Sequence, residues 1–291
     1  MSANLKAVCQ SFESGIYSDL ANEDYHRGPG VSSSVLKDML RSPLHCWSRH
    51  VDPARVPTSP TPAMILGSAV HTATLEPGLW ADEYAVAPRC DRRTKAGKET
   101  WQAFQAEAAG RIVLSAEQGE LAIQVANSTL SHPAASSLLE TGVAEQSIFF
   151  DHPLGELVKV RPDWWASQQW LCDLKTTSDA SPKGFARQVA QLNYHLQAAF
   201  YVDVVEAVTG ECLPWYWIAV ETQAPYAVAV YRASPELLEI GRQSYLQALA
   251  LYTACRQTGS WPGYSLEPQV LELPGWALRD QGDEVFEAVA L

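Results

Sequence analysis

Apolar residues recur every three or four positions through much of the first half of the chain, as they do on one face of a helix. The first such run follows three serines and stops before a Ser-Pro pair, which favours a short helix with a capped N-terminus. The pattern predicts helices at about 35–40, 63–77, 99–109 and 116–140.

The period changes after Val143. Short runs of alternating, β-branched and aromatic residues follow, and these are typical of strands. AEQSIFF, ELVKVRPDWW and QWLCDLKTT predict a three-strand meander, WYWIAVET and YAVAVYRA two more strands, and residues 183–208 and 235–257 two long helices. This order of elements indicates an α/β or α+β protein with a mixed central sheet flanked by helices.

Pro and Gly cluster at 27–30 and 52–62, which marks loops around a short N-terminal helical unit. The chain has 291 residues, 47% of them hydrophobic, and can therefore bury a sizeable core. We expect an N-terminal helical extension over 1–60, a core over 61–264 that belongs to the same domain, and a C-terminal tail over 265–291.

The charge balance is acidic: 21 basic and 33 acidic residues give a net charge of −12, which argues against a protein that coats nucleic acid. Residues 89–98, RCDRRTKAGK, are the local exception, and we call them the basic segment. This segment could grip phosphates, or it could be a solvated loop that leads into the next helix; charge alone leaves both interpretations open.

The six cysteines are scattered singly, so neither a zinc site nor a disulfide framework is predicted. An iron–sulfur cluster is also not expected, because it would need four grouped cysteines. No apolar run approaches the roughly 20 residues of a membrane span, and the first residues lack the apolar core of a signal peptide. We therefore expect a cytoplasmic protein without membrane contact.

The segment VRPDWWASQQWLCDLKTTS, residues 160–178, predicts a hairpin. If its turn centres on Gln168, Asp163 lies opposite Asp173 and Trp165 opposite Leu171. Directly opposed side chains on one sheet face have Cβ atoms about 5 Å apart. Two carboxylates at that distance repel each other unless a cation lies between them, and hard oxygen ligands suit Mg²⁺ or Mn²⁺.

Lys175 points to the same face as Asp173, because side chains alternate along a strand. Its ammonium could orient a metal-bound water or help to deprotonate it. The alternative is a hairpin with solvent-facing charges, in which Lys175 simply pairs with an aspartate. Polar residues on the neighbouring predicted helices favour a metal site. His71 lies on the helix before the hairpin. Three residues at i, i+3 and i+7 spacing lie on one face of the helix after it, namely Tyr194, Gln197 and Tyr201. Each of these also has an ordinary interpretation as a core or surface residue.

Taken together, these motifs resemble a known family. RPDWW, the DLK of CDLKTT, GSAVH and QAAFY resemble the metal-binding core of the PD-(D/E)XK nuclease superfamily, in the branch of RecB-type nuclease domains and phage exonucleases. YHRGPGVSSSVLKDMLRSPLHCW, DRRTKAGKETW, AEQSIFF, YHLQAAFY and the late WPGY resemble, in the same order, the RecE-like exodeoxyribonuclease VIII family over roughly residues 25–264.

The resemblance implies a PD-(D/E)XK, restriction-endonuclease-like core and a role for particular residues. Asp163, Asp173 and the backbone carbonyl of Leu174 are implied to be metal ligands, and His71 to reach the metal. Lys175 is implied to position the nucleophilic water. The remaining implied members of the catalytic site are Gln197 and Tyr201, which match a QxxxY motif, and Glu145, which matches an acidic position in the first core strand.

The resemblance also implies an activity: a Mg²⁺-dependent exonuclease, with Mn²⁺ as a substitute, that degrades one strand of linear duplex DNA from 5′ to 3′ and leaves a 3′ overhang. It further implies a ring-like homo-oligomer, a RecT-like single-strand annealing protein as partner, and a phage or prophage origin. Candidate DNA contacts are Arg92, Arg93, Lys95 and, at the start of the first predicted helix, Ser33. A structure-selective or restriction-type endonuclease and a catalytically inactive DNA-binding module are the alternatives.

Overall fold

The computed structural model describes residues 12–56 and 58–273. Cys9, the first part of the N-terminal extension and most of the C-terminal tail lie outside these residues. The helices are α1 (Asn22–Arg27), α2 (Ser33–Arg41), α3 (Pro43–Cys46), α4 (Pro62–Leu75), α5 (Trp80–Glu83), α6 (Lys95–Glu107), α7 (Ala116–Ser131), α8 (Pro133–Leu138), α9 (Pro182–Gln191), α10 (Tyr194–Thr209) and α11 (Pro235–Thr258). The strands are β1 (Gly15–Tyr17), β2 (Tyr84–Val86), β3 (Ile112–Leu114), β4 (Val143–Ala144), β5 (Ser147–His152), β6 (Glu156–Val160), β7 (Trp164–Ala166), β8 (Trp170–Thr177), β9 (Trp215–Glu221) and β10 (Val228–Arg232).

The central sheet has five strands in the order β10-β9-β8-β7-β4. Strands β8 and β9 run parallel and the other neighbours antiparallel, so the sheet is mixed, as predicted. Helix α10 packs against one face of this sheet, with α11 packed against α10, and helices α4 and α7 pack against the other face. The predicted fold class, a mixed sheet flanked by helices, is confirmed.

The hairpin formed by β7 and β8 has the predicted register. Trp165 pairs with Leu171, and Gln168 lies at the turn in a left-handed conformation with φ of 62°. The alternation along β8 then sorts its side chains between the faces of the sheet. Cys172 and Leu174 pack into the cluster beneath α4 and α7, whereas Leu171 packs on the opposite side with α10. Asp173 therefore faces α10.

The predicted three-strand meander is wrong in one respect, because its first two segments each pass between two sheets. AEQSIFF divides into β4, in the five-stranded sheet, and β5, in a separate sheet of order β1-β5-β6. The break falls at Glu145, whose φ of 51° is not compatible with an extended ladder. ELVKVRPDWW divides likewise into β6 and β7, with Pro162, which has no N–H for a ladder, between them. We call these two connections, residues 145–146 and 161–163, the first and the second joint.

Two long helices predicted from periodicity are each interrupted. The first breaks before Pro133, which cannot donate to the preceding turn, and His132 caps the next helix. The second breaks at Asn193, which adopts a left-handed conformation with φ of 51°. The pattern also gave no signal for β1, which pairs with β5, or for the short parallel pair β2 and β3. The N-terminal extension is thus not purely helical.

Over residues 12–56 and 58–273, the structure contains no helix that combines the length and the apolar character needed to cross a membrane.

Candidate active site

A cavity of about 670 Å³ opens beside the five-stranded sheet, where helix α4 faces both joints. Its lining includes His71 from α4, Glu145 from the first joint, Asp163 from the second joint and Tyr201 from α10. Four of the residues implied by the sequence therefore meet in one space, although they lie up to 130 positions apart along the chain.

Asp163 lies at the centre of this group. The backbone amide of Leu174 donates a hydrogen bond of 2.7 Å to its Oδ2, and the Nδ1 atom of His71 lies 3.4 Å from the same oxygen. The amide of Glu145 donates to the Asp163 backbone carbonyl at 3.3 Å. The second joint is thus fixed to both β8 and the first joint at the residue that carries the carboxylate.

Asp163 belongs to a trio of residues whose side chains could coordinate a cation. One atom each from His71, Glu145 and Asp163 lie within 4.8 Å of one another. Imidazole nitrogen and carboxylate oxygen are ligands for divalent cations such as Mn²⁺, and the carboxylates suit Mg²⁺. Leu174 is oriented for the same site: its N–H points to Asp163, and the N–H and C=O of one strand residue share an edge, so its carbonyl faces this side.

Asp173 is fully buried and is not a member of that trio. Its Oδ1 accepts a hydrogen bond of 3.0 Å from the Nε2 of Gln197. Its Oδ2 lies 2.6 Å from the Lys175 ammonium but has no aligned hydrogen-bond donor. We interpret this contact as an ion pair, because the distance between the two charged atoms is short although the hydrogen-bond angle is poor. Lys175 and Gln197 thus hold the buried carboxylate of Asp173 in place beside the trio.

The carboxylates destabilise one another's charged forms. Burial, followed by the charge of Asp163, raises the pKa of Glu145 to about 8 and the pKa of Asp173 to about 6. Burial lowers the pKa of Lys175, but the carboxylates of Asp173 and Asp163 outweigh it and raise that pKa above its usual value. Mutual repulsion among acids that are held together by the fold is the condition that a bound cation relieves.

Helix α10 supports this site as its spacing predicts. Gln197 lies against Asp173, the ring of Tyr194 lies 5.1 Å from the Lys175 ammonium, and Tyr201 lines the cavity. Burial raises the pKa of Tyr201 to about 12. Tyr201 therefore stays a neutral hydrogen-bonding group at neutral pH.

Lys37 is a member of the site that sequence reasoning missed. Its ammonium donates a hydrogen bond of 3.0 Å to the Oε1 of Gln197, so Gln197 is held between Lys37 and Asp173. Burial, followed by the nearby charge of Lys175, lowers the pKa of Lys37 to about 8. The available signal was the four-residue spacing from Ser33, which places both residues on one face of α2.

The predicted DNA contacts lie elsewhere. Arg92, Arg93 and Lys95 are exposed at the start of α6, and none of them lines the cavity of the site. Arg92 stacks at 3.7 Å from the Trp101 ring, and Arg93 pairs with Asp91 at 2.9 Å. Ser33 is buried rather than open to a phosphate. A role of these residues in DNA binding stays a prediction.

Comparison with known proteins identifies the family. Residues 32–273 match the model of a family described as a PDDEXK-like domain of unknown function (DUF3799). The chain belongs to this family. No match was found among curated proteins for the PDDEXK-like chain.

Among solved structures, this PDDEXK-like protein is similar to a "Putative exonuclease" from Eubacterium rectale. The two chains share 15% sequence identity with a TM-score of 0.60, and the similarity covers 92% of this chain and 99% of the other. At this identity the likeness concerns the fold. Family and fold together support the PD-(D/E)XK superfamily and do not reach the finer RecE-like family.

Proposed function

We propose that this PDDEXK-like protein is a metal-dependent nuclease that hydrolyses phosphodiester bonds of DNA. The observation that carries the proposal is the arrangement around the β7–β8 hairpin. The backbone amide of Leu174, next to Asp173, donates to Asp163, Lys175 lies 2.6 Å from Asp173, and the trio adds His71 and Glu145 beside Asp163. The family and the fold support the same class of enzyme.

The donor set fits a divalent cation, with Asp163, Glu145 and His71 as nearest ligands and Asp173 and the Leu174 carbonyl completing the site. A cation bound there supplies a nucleophile at neutral pH and offsets the negative charge that builds on the phosphate. We propose Mg²⁺, with Mn²⁺ as a substitute, because carboxylate oxygens dominate the donors.

The chain's own residues then divide the remaining work. Lys175, protonated and fixed by Asp173, donates a hydrogen bond that orients the attacking water or a phosphate oxygen. Gln197 restricts the rotation of the Asp173 side chain and is itself held by Lys37. Tyr201 lines the cavity as a hydroxyl hydrogen-bonding group. A positioned donor and fixed carboxylates reduce the reorganisation that the transition state requires.

The finer proposal is an exonuclease that acts on linear duplex DNA from the 5′ end and leaves a 3′ overhang. The sequence resemblance to RecE-like enzymes supports it, and so does the description of the Eubacterium rectale protein as an exonuclease. With it we propose a ring-like homo-oligomer and a RecT-like annealing protein as partner in phage-type recombination. These features rest on the resemblance and not on the geometry of the site.

The test compares linear duplex DNA, labelled separately at each 5′ end, with a closed circular plasmid, in Mg²⁺ and in EDTA. We expect metal-dependent release of the 5′ label from linear DNA alone. Cutting of the closed circle would show endonuclease activity and contradict the exonuclease proposal. Binding without any cleavage would favour the inactive DNA-binding module.

Two variants make the test specific. Asp173→Ala should abolish cleavage, because it removes the buried carboxylate beside Lys175. The matched control is Asp151→Ala, which removes an exposed carboxylate of β5 that does not line the cavity. Equal activity of the two variants would contradict the assignment of the site.

A further inference from the structure

A second cavity, of about 580 Å³, lies beside the first and has the opposite character. Its lining contains five lysine and arginine residues and two histidines, and Glu156 is the only acid among the described residues that line it. We call it the basic cavity, and its cations are Arg27, Arg49, Arg55, Lys159 and Arg256. In a chain with a net charge of −12, this is a local reversal of sign.

The reversal survives when nearby acids are counted. Arg27 pairs with Glu23 at 2.5 Å, Arg49 with Asp38 at 2.5 Å, and Arg256 with Glu156 at 2.8 Å. Five cations therefore face three carboxylates, and the paired guanidinium groups keep N–H donors that these contacts do not use. The cavity retains both positive charge and hydrogen-bond donors.

Arg55 and Lys159 supply the excess charge. Among the described residues, the side chain of Arg55 donates one hydrogen bond, of 3.5 Å, to the backbone carbonyl of Asp52, and it pairs with no carboxylate. Lys159 is buried, and its ammonium donates to the carbonyls of Tyr25 and Gly28 at 2.6 Å each. Carbonyl oxygens fix the ammonium in the wall of the cavity without neutralising it.

The N-terminus of α2 also opens into the basic cavity, through Ser32 and Ser34. Ser32 precedes the helix but accepts no hydrogen bond from its first turn, and its Oγ lies 2.8 Å from that of Ser34. The first amides of the helix thus lack a side-chain acceptor, and such amides attract phosphate oxygens. Charge and backbone dipoles favour the same kind of ligand.

The basic cavity adjoins the catalytic one, because His26 lines both. We infer that the basic cavity binds the phosphodiester backbone of the DNA strand whose scissile phosphate lies at Asp163. This inference rests on the proposed nuclease function, and it assigns backbone binding to these dispersed cations rather than to the basic segment 89–98. A strand that passes His26 would place successive phosphates in the two cavities.

The test measures the affinity for a labelled duplex with a single-stranded end, at several salt concentrations, in an Asp173→Ala background that prevents cleavage. The test variant is Arg27→Gln/Arg55→Gln and the control is Lys183→Gln/Arg232→Gln. Both pairs are exposed and both changes remove two charges. Neither control residue lines either cavity or belongs to the basic segment.

We expect the test variant to bind DNA about 10-fold more weakly at physiological salt and to lower the slope of log affinity against log salt by about 1.4 to 1.8, the value for two lost phosphate contacts. The control should change affinity less than about twofold. An equal loss in both variants, or a larger loss in the control, would overturn the inference. Unchanged melting temperatures of both variants exclude a folding defect.

Two further arms separate the inference from the proposed function. Cleavage of the same DNA by the wild-type chain in Mg²⁺, together with unchanged binding by the test variant, would overturn the inference that the basic cavity binds DNA and would leave the proposed nuclease function intact. No cleavage with any divalent cation, together with weakened binding by the test variant, would contradict the proposed nuclease function and support DNA binding in the basic cavity. If inorganic phosphate at an equal phosphate concentration displaces DNA from the cavity, the site is one for free phosphate and the inference of a DNA strand is wrong.

Discussion

The acidic centre, formed by His71, Glu145, Asp163 and Asp173, and the basic cavity are neighbours built in opposite ways. The acidic centre is partly or fully buried, and burial together with the charge of Asp163 raises the pKa values of Glu145 and Asp173. The arginines of the basic cavity are exposed, and two of them, Arg27 and Arg49, pair with acids that water also reaches. Burial makes electrostatic interactions strong and specific, whereas exposed charges act weakly and through their number.

This contrast predicts different responses. Changes in the acidic centre should alter the rate of cleavage with little loss of DNA affinity, because its carboxylates repel a polyanion. Changes in the basic cavity should alter affinity and its salt dependence, because exposed charges are screened. The predictions that follow test this division, from the largest effect to the smallest.

Replacement of Asp173 by Asn should lower the cleavage rate by about 10³-fold, equal to about 4 kcal/mol of transition-state stabilisation. Asn keeps an oxygen that Gln197 can bond, but it removes the charge that fixes Lys175. DNA affinity, measured by fluorescence anisotropy in the absence of cleavage, should stay equal or rise. A parallel loss of affinity would remove the proposed division between the two regions.

The contribution of Asp173 and Glu145 to the stability of the metal-free protein should fall as the pH rises from about 4 to about 8. The pKa of Asp173 is raised to about 6 and that of Glu145 to about 8, so the folded chain retains protons that the unfolded chain has already released. Stability that is present below the unfolded pKa is thus lost as the pH passes through the folded pKa, on the order of 3 kcal/mol for Asp173.

Thermal melting in EDTA at several pH values measures this loss, and added Mg²⁺ or Mn²⁺ should raise the melting temperature more at pH 8 than at pH 5. Asp173→Asn should flatten the pH dependence. A pH dependence that is the same in the wild-type chain and in Asp173→Asn would contradict the repulsion inferred for the acidic centre.

Lys37→Met should lower the turnover number about 10-fold with little change in KM, because it leaves Gln197 free to turn away from Asp173, a loss of the size of one charged hydrogen bond. Lys37→Arg should restore most of the activity, since it keeps a cationic donor. A change in KM alone would instead place Lys37 among the groups that bind DNA.

Neutralising the basic segment should have the smallest effect. The triple change of Arg92, Arg93 and Lys95 to Gln should alter cleavage at physiological salt less than about twofold, since these exposed charges are individually weak. Arg92 and Arg93 already contact Trp101 and Asp91. A large loss would confirm the sequence-based prediction of DNA contacts here and weaken the case for the basic cavity.

What the sequence could predict depended on how local each feature is. The hairpin register followed from one turn centred at Gln168, so the pairing of Trp165 with Leu171, and with it the approach of Asp163 to the backbone amide of Leu174, could be derived by counting. The spacing of Tyr194, Gln197 and Tyr201 on α10 was equally local. In both cases the relevant geometry is contained in fewer than a dozen neighbouring residues.

The rest depended on contacts between distant segments. Lys37 lies 160 positions from Gln197, and the cations of the basic cavity are spread from Arg27 to Arg256, so no window of the sequence brings them together. The break at Glu145 was also invisible, because residues with strand character flank it on both sides. The basic segment was conspicuous because its charges are contiguous, which says nothing about where they face.

The two joints between the sheets carry the two carboxylates of the metal trio. Glu145 lies where the chain leaves the five-stranded sheet, and Asp163 lies where it returns. A divalent cation held by both would link the two sheets as well as serve as the catalytic cofactor of the site. Loading the protein with Mn²⁺ should therefore slow amide hydrogen exchange at residues 145–147, 161, 163 and 164 together, far more than in α11.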